Sequence, residues 1–297
     1  MLKSSTPGSH PVIRALWLAA VVLLLGAVAM LAVGWPGYGL VAALAGICFA
    51  GGFVAYLFRH ARFLGTLARA ERALSRGDLA TARAIAAALV DRYPGFPPVQ
   101  RIAGLVLYPS GDPLSAATLL ESASRSIRDR DVVVTLVAAY AALNKAGDAR
   151  RVAALRPRDP DVALALAWAE LVALGGDRAR GAALAAALPV DTPPRAAMTA
   201  TLRAIAAAHR GDDPAVRERL HDAEDRYILL EDDERAFLGY LGGIALRELG
   251  ARDDARTTFT LAMAAAPGTI GEALARRERT HIPSDSAVSS SDQPSSD

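Results

Sequence analysis

Apolar and polar positions follow two different patterns along the chain. From Ile13 to Val33 every residue is apolar, Gly or Trp except Arg14. About 21 residues at 1.5 Å each span roughly 31 Å, one crossing of a bilayer. After Gly34-Trp35-Pro36-Gly37-Tyr38, a run from Gly39 to Phe58 is again uncharged and long enough to return, with Pro36 and its flanking glycines making the reversal. Past Phe58 the pattern changes to helical runs of Ala, Leu and Arg broken at intervals by glycine. These runs predict paired helices near 60–76 and 79–92, 98–108 and 113–127, 131–145 and 148–155, 160–174 and 177–187, 193–210 and 214–229, and 232–249 and 252–265.

The punctuating glycines are Gly77, Gly111, Gly147, Gly176, Gly211 and Gly250, at intervals of 34, 36, 29, 35 and 39 residues. Intervals near 35 match a repeat of one helix–turn–helix unit. Asp112-Pro113, Asp159-Pro160 and Asp213-Pro214 each place a capping carboxylate before a proline, the chemistry of a helix start. Pro94, Pro189 and Pro267 end other helices.

Within this frame the unit Gly243, Leu246, Gly250, Ala255, Phe259, Ala262 and Pro267 resembles the tetratricopeptide repeat in both residue type and spacing. Gly104, Leu107, Gly111, Ala116, Leu120 and Ala123 keep most of the pattern. Ala70, Ala73, Gly77, Ala82, Ala86, Leu89 and Pro94 keep its spacing with smaller side chains. The three middle units retain the turn and the helical period only. The resemblance covers roughly residues 62–268 and implies an all-α chain: an N-terminal transmembrane helical hairpin followed by a right-handed, tetratricopeptide-like α-solenoid of about six helix pairs. Thr269-Ile270-Gly271-Glu272 reads as a capping box that opens a short polar cap carrying Arg276, Arg277 and Arg279. The expected segments are thus an N-terminal tail (1–11), the hairpin (12–60), the solenoid with its capping helix (61–281) and a Ser/Asp-rich tail (282–297) too poor in apolar residues to fold.

Charge orients the hairpin. Lys3 and Arg14 precede the first crossing, Arg59, Arg62, Arg69, Arg72 and Arg76 follow the second, and the connecting loop has none. The positive-inside rule then puts both termini and the solenoid in the cytoplasm, and the near-absence of lysine, only Lys3 and Lys145 among the cations, is the bias of a GC-rich coding sequence and points to a bacterial inner membrane. Ala27-Val28-Ala29 resembles a signal-peptide cleavage site, but the apolar run continues past it into a second crossing. Ala42, Gly46 and Ala50 form a strip of small residues. Its expected partner is the first crossing, with a second copy of the chain as the alternative. No ionisable residue falls mid-crossing, which argues against an ion or proton path. Cys48 lies inside an apolar run and reads as a small hydrophobe.

The whole chain carries 33 Lys and Arg against 31 Asp and Glu, and residues beyond 65 sum to −2, so no basic field exists to hold nucleic acid. His10, His60, His209, His221 and His281 have no metal-ligand spacing, and phosphate-binding and acyl-transfer motifs are missing. No cofactor, metal or catalytic residue is therefore expected. The acidic run Glu231-Asp232-Asp233-Glu234 suits the positive end of a helix. What the resemblance does imply is a concave groove, lined by the first helix of each pair, that takes a protein or peptide. Its candidate residues are Glu71, Arg101, Tyr108, Asn144, Glu170, His209, Phe237, Tyr240 and Arg247. Leu67 and Glu71 occupy the first positions of the family's carboxylate clamp, so clamp-type tail binding is not expected. The reading is a membrane-anchored scaffold; the alternatives are an extracytoplasmic envelope-assembly protein and a helical ligand-binding domain.

Overall fold

The computed structural model describes residues 11–127 and 129–282; the expectations for residues 1–10 and for the tail beyond Ile282 lie outside them. Among the described residues there is no strand. The helices are α1 (Pro11–Ala32), α2 (Tyr38–Ser75), α3 (Leu79–Arg92), α4 (Pro97–Leu107), α5 (Pro113–Ser124), α6 (Arg130–Ala142), α7 (Ala146–Ala153), α8 (Pro160–Val172), α9 (Arg178–Ala187), α10 (Pro193–Ala208), α11 (Asp213–Glu224), α12 (Asp232–Leu249), α13 (Arg252–Ala265) and α14 (Ile270–Thr280). A single 3-10 turn, Tyr227–Leu229, precedes α12. The chain divides into two compact units between Ala103 and Gly104, within α4.

The first unit is built on a helical hairpin. On α1 the buried or half-buried positions include Ile13, Leu16, Ala20, Leu23, Ala27 and Met30; on α2 they include Val41, Ala45, Cys48, Gly52 and Ala55. The alternating steps of three and four are those of a seam between two helices. At Gly52 the helices come so close that an added Cβ would lie 2.5 Å from Trp17 Cδ1. The strip of Ala42, Gly46 and Ala50 is exposed, and nothing lies within 4 Å of a Cβ built on Gly46, so this strip does not pack on α1. The seam uses Ala45 and Gly52, offset to the neighbouring face. The second apolar run does not stop at Phe58: α2 continues for 38 residues through Gly65 to Ser75, about 57 Å at 1.5 Å per residue. The carboxy-terminal part of α2 then pairs with α3, with Ala70, Ala73, Ala82, Ala86 and Leu89 buried.

In both units the turns follow one local rule. Gly77, Gly111, Gly211 and Gly250 have φ between 71° and 90°, the left-handed residue after a helix that glycine adopts without steric cost. In the middle units the expected glycines are displaced. Asn144 (φ 59°) and Gly175 (φ 72°) make the turns, whereas Gly147 lies inside α7 and Gly176 follows the turn residue. Asparagine tolerates this conformation because its short polar side chain bonds locally. One start is also displaced. Asp112 and Asp159 cap α5 and α8 as expected, but Asp212, not Asp213, accepts the Ala215 N–H and caps α11.

Close crossings hold the pairs of the second unit together. A Cβ on Gly104 would meet Leu120 at 2.5 Å, one on Gly239 would meet Ala262 Cβ at 2.9 Å, and one on Gly243 would overlap the ring of Phe259. In the α8–α9 pair the small residue has changed helix: Gly181 of α9 lies against Leu171 and Glu170. The last helix does more than cover an end. α14 packs on α12 and α13, and Gly271 brings it within 2.5 Å, measured from a would-be Cβ, of the Phe237 backbone nitrogen. It also reaches the early helices of the unit, since the Ile270 N–H donates to Pro109 O at 2.9 Å and Arg277 Nη1 donates to Ala142 O at 2.7 Å. Arg277 is therefore not the freely solvated cap residue expected from the sequence.

These crossings make a direct prediction. Ala262 is fully buried and its neighbour Leu261 is 65% exposed. Ala262→Glu puts an unpaired carboxylate between helices and is expected to cost about 3–5 kcal/mol. Leu261→Glu is expected to stay within about 0.5 kcal/mol of the parent. Thermal melts of the two variants check this, and equal melting temperatures contradict the register.

Candidate functional site

Four helices of the second unit each present one i, i+4 pair to a common cavity of about 320 Å³. The pairs are Val134 and Ala138 on α6, Leu164 and Trp168 on α8, Met198 and Leu202 on α10, and Phe237 and Leu241 on α12. Residues four apart lie on one face of a helix, so each pair forms a short apolar ridge. Tyr108, Pro109 and Ile270 complete the wall, and the Ile270–Pro109 hydrogen bond ties α14 to the turn after α4. These are the first helices of successive pairs, together with the last helix.

Aromatic rings brace the floor. Trp168 meets Phe237 edge-on with centroids 5.0 Å apart and Tyr240 at 6.2 Å, and Tyr240 lies 6.5 Å from Phe259. Edge-on contacts of this kind fix ring orientation. The Trp168 indole nitrogen is buried and makes no hydrogen bond of normal geometry. Burial raises the Tyr108 phenol well above its ordinary pKa, with a smaller contribution from Tyr240, and burial likewise raises Tyr240. Both hydroxyls stay protonated at any physiological pH.

The polar residues of the cavity are acidic: Asp161, Asp233 and Glu234. Asp161 is held by Arg130 and by Arg195, whose Nη2 lies 2.8 Å from Oδ1. Glu234 and Glu231 form the capping box of α12, with the Glu231 N–H donating to Glu234 Oε2 at 3.1 Å. Burial raises the Glu234 carboxyl, helped by the charges of Asp233 and Glu231. The acidic run thus starts a helix and lends two carboxylates to the cavity.

The candidates chosen from the sequence separate into three sets. Tyr108 and Phe237 line the cavity. Glu71 and Arg101 belong to the first unit, where they pair with each other at 2.8 Å. The other five serve the solenoid itself. Asn144 makes a turn, and Tyr240 is buried. His209 is an interior side chain, with Nε2 2.9 Å from Leu171 O and Nδ1 3.5 Å from Glu248. Arg247 pairs with Glu278 and, at 2.6 Å, with Glu248.

Glu170 is the clearest correction, because its side chain is 0% exposed. Arg150 donates to both carboxylate oxygens at 2.6 and 2.7 Å, the Asp177 N–H donates at 2.8 Å, and Arg150 Nη2 also donates to Gly175 O at 2.9 Å. This bidentate node joins α7, α8 and the turn after α8. Burial opposes ionisation of Glu170, but the Arg150 and Asp177 hydrogen bonds, with the charges of Arg150 and Arg180, hold its carboxyl below the ordinary value. A depressed folded pKa means the stabilisation is complete above the unfolded value near 4.5 and is lost as pH falls through the folded one. Glu170→Gln is expected to cost about 3 kcal/mol near neutral pH, at the low end for breaking a buried pair because Arg150 is partly solvated. The cost should shrink as the parent is acidified below pH 4.5; denaturation midpoints across pH 3–7 check it, and a pH-independent difference contradicts the assignment.

The residues missed were the apolar ones: Val134, Leu164, Trp168, Met198, Leu202 and Leu241. Their signal was the i, i+4 pair on each first helix, which is indistinguishable from core spacing until the inner face is known.

No protein-family model matches the chain, and no curated protein matches it. Among solved structures it is similar to a tetratricopeptide repeat protein from Parabacteroides merdae, with 10% identity over 89% of this chain and 98% of that one and a TM-score of 0.49. At that level the likeness is general, and the solenoid of helix pairs rests on the turns and crossings described above.

Proposed function

We propose that this chain is a membrane-anchored scaffold whose solenoid binds a protein segment in the cavity of α6, α8, α10, α12 and α14. The observation that carries this reading is an apolar cavity with an acidic rim, formed by the first helices of successive pairs. Its chemistry suits a bulky apolar side chain flanked by Lys or Arg, the apolar group displacing water from the floor and the cation meeting Asp233 and Glu234. A small-molecule site is less well supported. The lining is predominantly apolar and offers few polar groups besides the rim carboxylates to orient a small ligand.

The hairpin supports anchoring. Val12–Ala32 and Tyr38–Ser75 are each long and apolar enough to cross a membrane. Their large apolar residues, Leu18, Val22, Leu25, Leu40, Ile47 and Phe58 among them, are exposed. So much contiguous exposed apolar surface calls for lipid or a partner. With the uncharged loop between them and arginines beyond, the placement we propose has the loop outside and the solenoid in the cytoplasm of a bacterial cell.

Two experiments test these readings. A photo-crosslinking side chain at Met198 or Leu164 should yield an adduct of discrete mass in cells, weakened by Glu234→Lys. Leu174, 80% exposed in the turn after α8, serves as the control position; identical adducts from it would remove the groove from the reading. For topology, Gly37→Cys and Thr280→Cys are compared in a Cys48→Ala background. The expected outcome is that an impermeant maleimide labels the first in intact cells and the second only after lysis. The reverse pattern places the solenoid outside the cytoplasm.

A further inference from the structure

A separate cavity of about 390 Å³ lies within the first unit, between α2 and the end of α3. Three arginines line it: Arg59 and Arg62 from α2 and Arg92 from the last turn of α3. No acidic residue does, and the adjacent Asp91 is exposed outside it. The Nε of Arg59 is buried and has no hydrogen-bond partner, a costly state for a cationic donor unless an anion completes it. The wall behind the arginines is rigid, since Phe63 packs edge-on against Tyr93 at 5.1 Å and against Phe96 at 5.4 Å.

The position of this cavity along α2 names the anion. From Tyr38 to Phe58 the helix carries no charge, and about 21 residues span roughly 31 Å, the thickness of a hydrocarbon core. Arg59 and Arg62 are the first charges beyond it. Phe58, which also lines the cavity, is 66% exposed on the apolar side. A ligand here therefore meets guanidinium groups at one end and lipid-facing apolar surface at the other. We propose that this cavity binds the phosphodiester headgroup of an anionic phospholipid, its acyl chains running along the exposed face of α2. The proposal rests on the reading of α1 and α2 as membrane-spanning. Guanidinium groups bind phosphate oxygens in bidentate fashion, and a headgroup lacking the choline cation avoids repulsion from three like charges.

The test uses the full chain in neutral detergent, titrated with phosphatidylglycerol, phosphatidylcholine or inorganic phosphate and read by native mass spectrometry. Phosphatidylglycerol should bind in preference to phosphatidylcholine and not be displaced by millimolar phosphate. Removing two cavity charges with Arg62→Gln plus Arg92→Gln should weaken it about 30-fold. The same charge loss at the exposed Arg76 and Arg83 should change it less than about threefold, as expected for charges outside the site. Arg62→Gln alone, at an exposed side chain, should lose about fivefold and melt with the parent, which separates lost binding from misfolding. Equal losses from both double variants, equal binding of phosphatidylcholine, or displacement by inorganic phosphate overturns the proposal. Flotation with phosphatidylcholine vesicles reads the anchor separately: a chain that fails to float but still binds phosphatidylglycerol through Arg62 and Arg92 loses the membrane reading and keeps the cavity.

Discussion

A helix surface built of alanine offers one methyl group per position, so two such helices gain apolar burial only by bringing their backbones close together. That requirement runs through the whole chain. Gly104 under Leu120, Gly239 against Ala262 and Gly271 on the backbone of α12 are all places where a larger side chain has no room. Close approach then creates the opposite problem where pairs diverge, and the few large residues are spent there. Leu120 and Phe259 fill the spaces over the glycines, and Trp168, Phe237 and Tyr240 fill the space between α8 and α12. The cavity is the part of that space the aromatic rings leave open.

The same constraint explains what could be read in advance. Gly243, Gly250, Ala255, Phe259 and Ala262 are each demanded by one crossing or one turn, so their spacing announced the last pair directly. The two N-terminal helices were legible because each follows an unbroken apolar run of about 20 residues, a pattern that does not depend on packing detail. In the middle units the demand could be met in more than one way. Asn144 replaced a turn glycine, Gly175 took the turn in place of Gly176, and the small residue of the α8–α9 crossing moved to Gly181. These substitutions preserve the geometry while erasing the pattern.

The candidate site was harder to read for a related reason. On a first helix, a charged residue facing the groove and one facing the next pair occupy positions only one or two residues apart. Glu170 and Arg247 were groove candidates by their place on first helices. In fact Glu170 is enclosed by Arg150 and the Asp177 N–H, and Arg247 by Glu248 and Glu278. The groove itself is apolar, and apolar residues do not declare which side they serve. Nor did the sequence show that α14, which read as a terminal cap, would bond to Pro109 and Ala142 and so form one wall of the site.

Arginine dominates the cations of this chain, and what each one does depends on whether a carboxylate reaches it. In the second unit Arg150, Arg195 and Arg247 are each joined to acids, so their fields are largely cancelled and they act as struts. The groove there keeps an acidic rim. The opposite holds around Arg59 and Arg62, where the lining of the cavity contains no acid and the preceding 58 residues contain none either. An uncompensated pair of guanidinium groups beside apolar surface draws an anion or remains poorly solvated. Because α2 continues without a break from the apolar run through these arginines to its pairing with α3, an anion held there would bridge the two helices beside the Phe63–Tyr93 contact.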